Sequence, residues 1–285
     1  MIGLNKSVKL DEFDGTLTKT RKDPSAVVSE SITFVIACYN DSNVIEKTIN
    51  SISVNLRKDD RILVIDGASQ DDTLAVLQRI KEVITKLEYI SEKDSGIYEA
   101  WNKALKDISS CWVCFLGCGD LLRSDFRENV SVAINQNPKS NFIHCVAQMY
   151  LWDSNTESNI ELRRFGKKFD LHDFKRQMRI CHVGALHHYS LFSEFLFSTR
   201  YKCVSDYHFM LRKLPDIRPT FINRVLVDVE ASGISTNSLF PIKEELIMKK
   251  NLGGYSIIHL YSRAVWMSLK YYLFKVYNYR YRFRL

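Results

Sequence analysis

ITFVIACY (32–39) runs directly into NDSNVIEKTINSI (40–52). The first stretch is continuously apolar and β-branched, the pattern of a strand buried on both faces. The second places Val44, Ile45, Thr48, Ile49 and Ile52 on one helical face, with Asp41 or Ser42 positioned to cap the helix. The unit then repeats. RILVIDGAS (61–69) is a second strand ending in a turn, and DDTLAVLQRIKEVI (71–84) a second helix with Leu74, Leu77 and Ile80 inward. LEYISE (87–92) is a short third strand. KDSGIYEAWNKALKD (93–107) enters a third helix with Ile97, Trp101 and Leu105 on one side, and CWVCFLG (111–117) is the fourth strand. Strands alternating with helices at this spacing imply right-handed βαβ units and a mostly parallel sheet.

Parallel strands place all their carboxyl ends on one edge, and ligands of open α/β sheets bind in the crevice outside that edge. The residues expected there are polar: Tyr39, Asn40 and Asp41 after the first strand, Asp66 after the second, Glu92 and Asp94 after the third, and Asp120 after the fourth. A single acid after a strand is commonly a helix cap. Several from separate strands meeting at one edge indicate a ligand site.

With 285 residues, 46% hydrophobic and 26% charged, the chain is long enough for one large α/β domain and too apolar to be disordered. The formal charge of +7 is concentrated in RRFGKKFDLHDFKRQMR (163–179) and in the tail from Lys249. Such stretches suit anionic partners or a solvated basic face. The seven scattered cysteines form no disulfide framework, and the absence of a signal-peptide pattern points to a reducing cytoplasm. CWVC (111–114) lies in a strand, where residues three apart face opposite ways, so Cys111 and Cys114 are expected to be core residues rather than a metal pair. No stretch reaches the ~18 apolar residues of a spanning helix.

The second half is less regular. NFIHCVAQMYLW (141–152) and TFINRVLVDVEASGIS (220–235) are strand-rich, ICHVGALHHYSLF (180–192) is mixed, and CVSDYHFMLRKL (203–214) predicts an amphipathic helix from about Ser205 with Tyr207, Met210, Leu211 and Leu214 inward.

Residues 30–236 resemble family 2 glycosyltransferases of the GT-A fold. FVIACYN (34–40) resembles that family's opening strand and Tyr-Asn turn, and LVIDGASQDDT (63–73) its Asp-rich turn, with Ala68 and Asp72 departing from the usual small residues. SEKDSGIYEAWNKAL (91–105) is similar to the Gly-Ile-Tyr-x-Ala-x-Asn-Lys segment of a bacterial branch that builds capsules, exopolysaccharides and O-antigens, the colanic-acid type. FLGCGD (115–120) stands where that branch has Phe-Leu-Asn-x-Gly-Asp and most of the family has Asp-x-Asp. ICHVGALHHYSLF, SDYHFMLRKL and ASGIS follow in the same order and spacing.

The resemblance implies an α/β GT-A sheet in a catalytic domain over 31–236, with a nucleotide-binding half (31–120) and an acceptor half (121–236). Residues 1–30 would be an extension and 237–285 a helical segment. It implies that Tyr39 and Asn40 border the base and ribose, that Asp66 accepts from the nucleobase or ribose, and that Asp94 lines the pocket with Gly96 letting the chain pass close. Asn102 and Lys103 would fix that loop or the donor. Asp120 would hold Mn²⁺ or Mg²⁺ against the diphosphate, with Gly117 and Gly119 in place of the motif's earlier acids. His182 would touch the diphosphate or metal, Arg212 support the helix or a phosphate, and Asp206 act as the catalytic base. An acid at a helix start is equally placed to complement the helix dipole.

The implied activity is inverting transfer of a sugar from a nucleotide-sugar donor to a glycan acceptor, lipid-linked in surface polysaccharide synthesis. Transfer to polyprenyl phosphate and non-catalytic nucleotide-sugar binding are the alternatives. No Gly-rich phosphate loop follows the first strand, which argues against a nucleotidyltransferase, and no nucleic-acid partner is expected. The tail YSIIHLYSRAVWMSLKYYLFKVYNYRYRFRL (255–285) combines aromatic and basic residues, a pattern suited to peripheral contact with the cytoplasmic membrane face.

Overall fold

The computed structural model describes residues 30–153, 158–231 and 239–282. The expected extension at 1–30 lies outside these, apart from Glu30, as does the Gly turn that follows Ala231. The first four strands, β1 (Ile32–Cys38), β2 (Arg61–Asp66), β3 (Leu87–Ser91) and β4 (Trp112–Gly117), form a parallel sheet in the order β3-β2-β1-β4. Helices α1 (Ile45–Ser53), α2 (Thr73–Val83) and α3 (Ile97–Leu105) connect them.

The apolar runs are buried because both sheet faces are covered. Phe34, Ile36, Val64, Cys114 and Leu116 pack in one layer, and Val35, Leu63, Ile65, Val113 and Phe115 in the other. This is strand alternation with two buried faces. Cys111 lies just before β4 and packs in the same layer as Cys114, not opposite it. Both thiols are buried in apolar surroundings, and neither belongs to a metal-sized cluster among the described residues.

The amino end of β1 is pinned by Asp60. Its carboxylate accepts from the Ile32 amide at 2.8 Å, from the Arg57 amide at 2.8 Å and from Arg127 Nε at 3.0 Å. Arg127 and Asp60 are both buried. Leaving one member of such a pair alone costs about 3–5 kcal/mol.

The sheet continues with strands of both directions: β5 (Leu121–Leu122), β6 (Phe142–Asp153), β7 (Ser158–Phe165), β8 (Leu186–His188) and β9 (Pro219–Glu230). β8 runs antiparallel to β4 and β6, β9 runs parallel to β6, and β5 pairs antiparallel with β9. The β9–β5 pairing brings the end of β9 over the loop that follows β4. The remaining helices are α4 (Phe126–Gln136), α5 (Leu171–Arg176), α6 (Ser205–Arg212), α7 (Phe240–Leu252) and α8 (Ile257–Arg282). Within α6, Tyr207 and Met210 are buried as expected; Leu211 packs at the edge of the core, as does Leu214 just past the helix end.

One expectation about local structure fails. Asp41 and Ser42 do not cap α1 with their side chains; the N-cap is Val44, with no side-chain hydrogen bond. The Asp41 carbonyl instead accepts from the Val44 and Ile45 amides, while its carboxylate turns back to the Tyr39 amide at 3.1 Å. Asn40 sits at φ 54°, in the left-handed region, where the chain reverses ahead of Asp41.

Candidate active site

The carboxyl edge of β1–β4 gathers the expected residues from four separate loops. After β1, Tyr39 is exposed. The Asn40 amide donates to Ser69 Oγ at 2.8 Å, and its side-chain oxygen accepts from the Gln70 amide at 2.8 Å, which ties the β1 and β2 turns together. Gly67 is the point of closest approach: a Cβ there would lie 3.3 Å from both Tyr39 Cδ2 and Asp94 Oδ2. Tyr39 and Asp94 thus flank a narrow backbone floor. Burial pushes the Asp94 carboxyl up, although Oδ1 accepts from the Gly96 amide at 2.9 Å.

Asp66 is placed differently from the sequence reading. It is fully buried, and its oxygens accept from the Ser69 amide at 3.0 Å, from Ser91 Oγ at 2.6 Å and from Ser69 Oγ, with Cys38 Sγ at 3.6 Å. In this conformation it holds the β2 turn from below. Asn102 is buried and makes a reciprocal pair with Phe197, donating to its carbonyl at 2.8 Å and accepting from its amide at 3.0 Å. It therefore anchors the 197 loop. Lys103 Nζ donates to the carbonyls of Glu92 at 3.2 Å and Lys93 at 2.8 Å, which fixes the loop that carries Asp94. Arg212, at the far end of α6, lies over the Phe195 ring at 4.0 Å rather than pointing at the edge.

The β4 loop is built around close approaches. Gly119 has φ 94°, its amide donates to Thr48 Oγ1 at 3.0 Å, and its carbonyl accepts from Tyr150 Oη at 2.8 Å. The positive φ favours glycine there, and a Cβ would lie 2.6 Å from Glu230 Oε2, so a side chain at 119 would displace the Glu230 carboxylate. Asp120 is buried and Oδ2 accepts from the Gly117 amide at 2.9 Å. Burial, with the Glu230 carboxylate adding to it, pushes Asp120 up to about 7. Among the described residues no lysine, arginine or histidine pairs with Asp120 or Glu230. Glu230 was not anticipated. It ends β9 far along the chain, and the only sequence trace of its neighbour is the missing side chain at position 119.

Asp206 opens α6, and its surroundings come from the other half of the site. Tyr98 Oη donates to Oδ1 at 3.0 Å, and His182 Nδ1 lies 3.9 Å from Oδ2. Tyr98 is buried, and burial and the Asp206 charge raise its phenol well above the usual value, which keeps it a donor. Burial lowers the His182 pKa, favouring a neutral ring that stacks on Trp101 at 5.4 Å, with Nε2 buried and unpartnered. His182 is thus a neighbour of Asp206. Tyr98 lies in the Gly-Ile-Tyr motif but was read only as part of it. A surface hollow of about 440 Å³, lined by Asn137–Ser140 and Arg218–Thr220, lies at the amino ends of β6 and β9, on the opposite edge, and gathers none of these groups.

Comparisons with known proteins bear on the family and the fold. Residues 33–195 match the model of glycosyl transferase family 2. A PGL/p-HBAD biosynthesis glycosyltransferase of Mycobacterium bovis is 24% identical over 201 residues, covering 70% of this chain and 74% of that one. A poly-beta-1,6-N-acetyl-D-glucosamine synthase of Staphylococcus aureus is 29% identical over 96 residues, 34% of this chain and 23% of that protein. Among solved structures, S. aureus TarS 1–349 in complex with UDP-GlcNAc superposes with TM-score 0.62 at 13% identity, covering 82% of this chain and 70% of that one. Mannosyltransferase PcManGT from Pyrobaculum calidifontis, in complex with GDP-Man and Mn²⁺, gives TM-score 0.60 at 17% identity, covering 87% and 73%. The match over residues 33–195, more than half of the chain, makes the protein a member of glycosyl transferase family 2, a glycosyltransferase, and its sheet is that of the GT-A fold.

Proposed function

We propose that the protein is an inverting glycosyltransferase that takes a sugar from a nucleotide-sugar donor and passes it to a hydroxyl of a lipid-linked glycan in surface polysaccharide synthesis. One observation carries this reading. Tyr98, on the helix that follows the Asp94 loop, donates directly to Asp206, so the expected base is held against the same edge as the expected donor residues. The similarity to proteins solved with UDP-GlcNAc and with GDP-Man and Mn²⁺ supports a nucleotide-sugar donor. The similarity to a poly-N-acetylglucosamine synthase supports a glycan product.

Tyr39, Asn40 and Asp94 would border the nucleoside, with Gly67 and Gly96 as the close-approach floor. Asp66 would shape that floor from beneath, while Asn102 and Lys103 hold the loops around it. The Gly119 loop would let the diphosphate approach the backbone. The donor set fits a hard divalent cation, since the buried Asp120 carboxyl and the Glu230 carboxylate supply oxygen ligands and have no protein counter-ion among the described residues. Asp120 and Glu230 would hold it, with Glu230 making up for the acids absent at 117 and 119. A cation bound there would offset the charge of the departing diphosphate. Asp206 would accept the acceptor hydroxyl's proton as that oxygen attacks the anomeric carbon, and bond formation opposite the leaving group inverts the centre. Tyr98 orients the carboxylate, and His182 walls it from water. Arg212 supports α6 through Phe195.

Calorimetry with UDP and GDP, with and without Mn²⁺, tests the donor assignment, and product analysis with a lipid-linked saccharide against polyprenyl phosphate tests the acceptor. A nucleotide found away from Asp94 and Asp120 would overturn the site. Tyr98→Phe is expected to lower kcat by about 10–100-fold with donor affinity unchanged, the usual cost of losing a hydrogen bond to a charged group. An equal rise in KM would place Tyr98 in binding instead.

Helix α8 supports membrane contact. Ile258, Tyr261, Val265, Leu269 and Tyr272 are exposed and recur at helical spacing, with Trp266 and Leu273 beside them. No helix among the described residues is long and apolar enough to cross a bilayer. The first turns of α8 are docked: Leu260 is buried and Arg263 Nε donates to Glu245 Oε1 at 2.8 Å, beside the buried Lys249. A cut after Gly254 would therefore strip a structural contact as well as the exposed stripe. The cleaner test is Leu269→Glu with Leu273→Glu. Binding to anionic phospholipid vesicles should fall at least about tenfold, since burying one leucine is worth roughly 1.5–3 kcal/mol. Unchanged binding would mean that α8 does not meet the bilayer.

A further inference from the structure

Two cysteines at the sheet edge remain outside the reaction described above. β1 and β4 are parallel neighbours with Ala37 opposite Gly117, so the next positions along, Cys38 and Cys118, follow the two strands side by side. The turn at Tyr39–Asp41 folds back over them, because the Tyr39 amide holds Asp41 Oδ2 at 3.1 Å. As a result Cys38 Sγ, Cys118 Sγ and an Asp41 carboxylate oxygen all lie within 4.8 Å of one another.

We propose that Cys38, Cys118 and Asp41 form a binding site for a thiophilic divalent cation of the Zn²⁺ class, distinct from the hard-cation position at Asp120 and Glu230. Two sulfurs and one oxygen from two loops are a borderline-soft donor set. Such sets select Zn²⁺ or Cd²⁺ over Mg²⁺ and Mn²⁺, whose preference is for oxygen alone. Three protein ligands leave the fourth tetrahedral position to water or a ligand oxygen. On binding, the cation takes the place of the two thiol protons, which pass to the solvent.

The loops are held in place before any ion arrives. In the metal-free protein the Cys38 thiol donates to Asp66 Oδ1 at 3.6 Å, a contact given up when the cation replaces the thiol proton, and the Gly67 amide donates to the Cys38 carbonyl at 2.9 Å, which fixes the backbone of the site in either state. On the other side the Gly119 amide is fixed to Thr48 at 3.0 Å. Cys38 is buried, whereas Cys118 and Asp41 are partly exposed, so the site opens toward the same edge as Tyr39 and Asn40. Occupancy would tie the β1 turn to the loop that carries Asp120.

The test uses the full chain, freshly reduced and free of metal, with Cd²⁺ as the probe. Cadmium bound to thiolates absorbs in the ultraviolet, so the titration reads the sulfurs directly and needs no turnover. One equivalent of Cd²⁺ is expected to saturate the band. Cys118→Ser should weaken binding by more than the roughly 10–100-fold that follows loss of an outer partner at a metal site. Asp41→Asn should weaken it without removing the band. Cys203→Ser, at the other partly exposed thiol, should leave the titration unchanged. Excess Mn²⁺ should not displace the bound Cd²⁺. Cys118 lies in a partly exposed turn, so its variant is expected to melt with the wild-type protein. Should it not, Asp41→Asn alone decides the matter. A band that survives Cys118→Ser at wild-type affinity, an unaltered Asp41→Asn titration, or ready displacement by Mn²⁺ would each overturn the proposal.

Discussion

Asp206→Asn is expected to lower transfer by about 10²–10⁴-fold, the usual contribution of a general base, while nucleotide binding stays near the wild-type value. The amide keeps the size of the side chain and can still accept from Tyr98 Oη, which lies 3.0 Å from Oδ1 in the wild type. What it loses is the basic lone pair that receives the acceptor proton. The effect should therefore fall on kcat. Calorimetry with nucleotide reads the first half of the site, and a transfer assay reads the second. Near-normal transfer would reduce Asp206 to a helix-start carboxylate stabilised by the dipole of α6 and its partner Tyr98.

Asp120→Asn should differ in kind, because it touches the diphosphate side. Mn²⁺-dependent nucleotide binding is expected to weaken together with the rate. A second signature is available without any metal. Burial holds the folded-state Asp120 carboxyl up at about 7, against 3.8 for an ordinary aspartate. As pH rises, the unfolded chain releases this proton first, so the ionisation favours unfolding. The stabilising effect of the protonated carboxyl is complete below about pH 4 and is lost as pH rises through about 7. A displacement of about three pH units corresponds to at most about 4 kcal/mol. Asparagine does not ionise. In metal-free buffer, Asp120→Asn should therefore melt higher than the wild type at pH 8 and alongside it at pH 4. Identical melting differences at both pH values would show that Asp120 is not a strained buried acid. Added Mn²⁺ should stabilise the wild type at pH 8 and not the variant.

The parallel sheet was legible in the sequence because burial on both faces leaves a direct mark. ITFVIAC, RILVID and WVCFLG are continuous apolar runs, and the helices between them carry apolar faces at helical spacing. The positions of Tyr39, Asn40, Asp94 and Asp120 followed, since a strand's end and direction place its next residue on a known edge. Local chemistry was harder to read. Asp41 looked like a helix cap, but a cap competes with other acceptor sites, and here the carboxylate bonds to its own turn. Asp66 and Asn102 looked available to a ligand. Only packing shows that Ser69, Ser91 and Phe197 already occupy them.

By itself, then, the sequence determined the strand–helix rhythm, the polar edge and the membership of the family, because these rest on short-range periodicity and on motifs whose residues lie close together in the chain. The tertiary structure decided which distant groups share that edge. Glu230 reaches Gly119 only because β9 pairs with β5. Tyr98 reaches Asp206 across 108 positions of chain. Cys38 meets Cys118 because β1 lies beside β4. Each contact depends on strand order and register in the assembled sheet, which are set by the packing of the whole core and leave no periodic trace in the residues that meet.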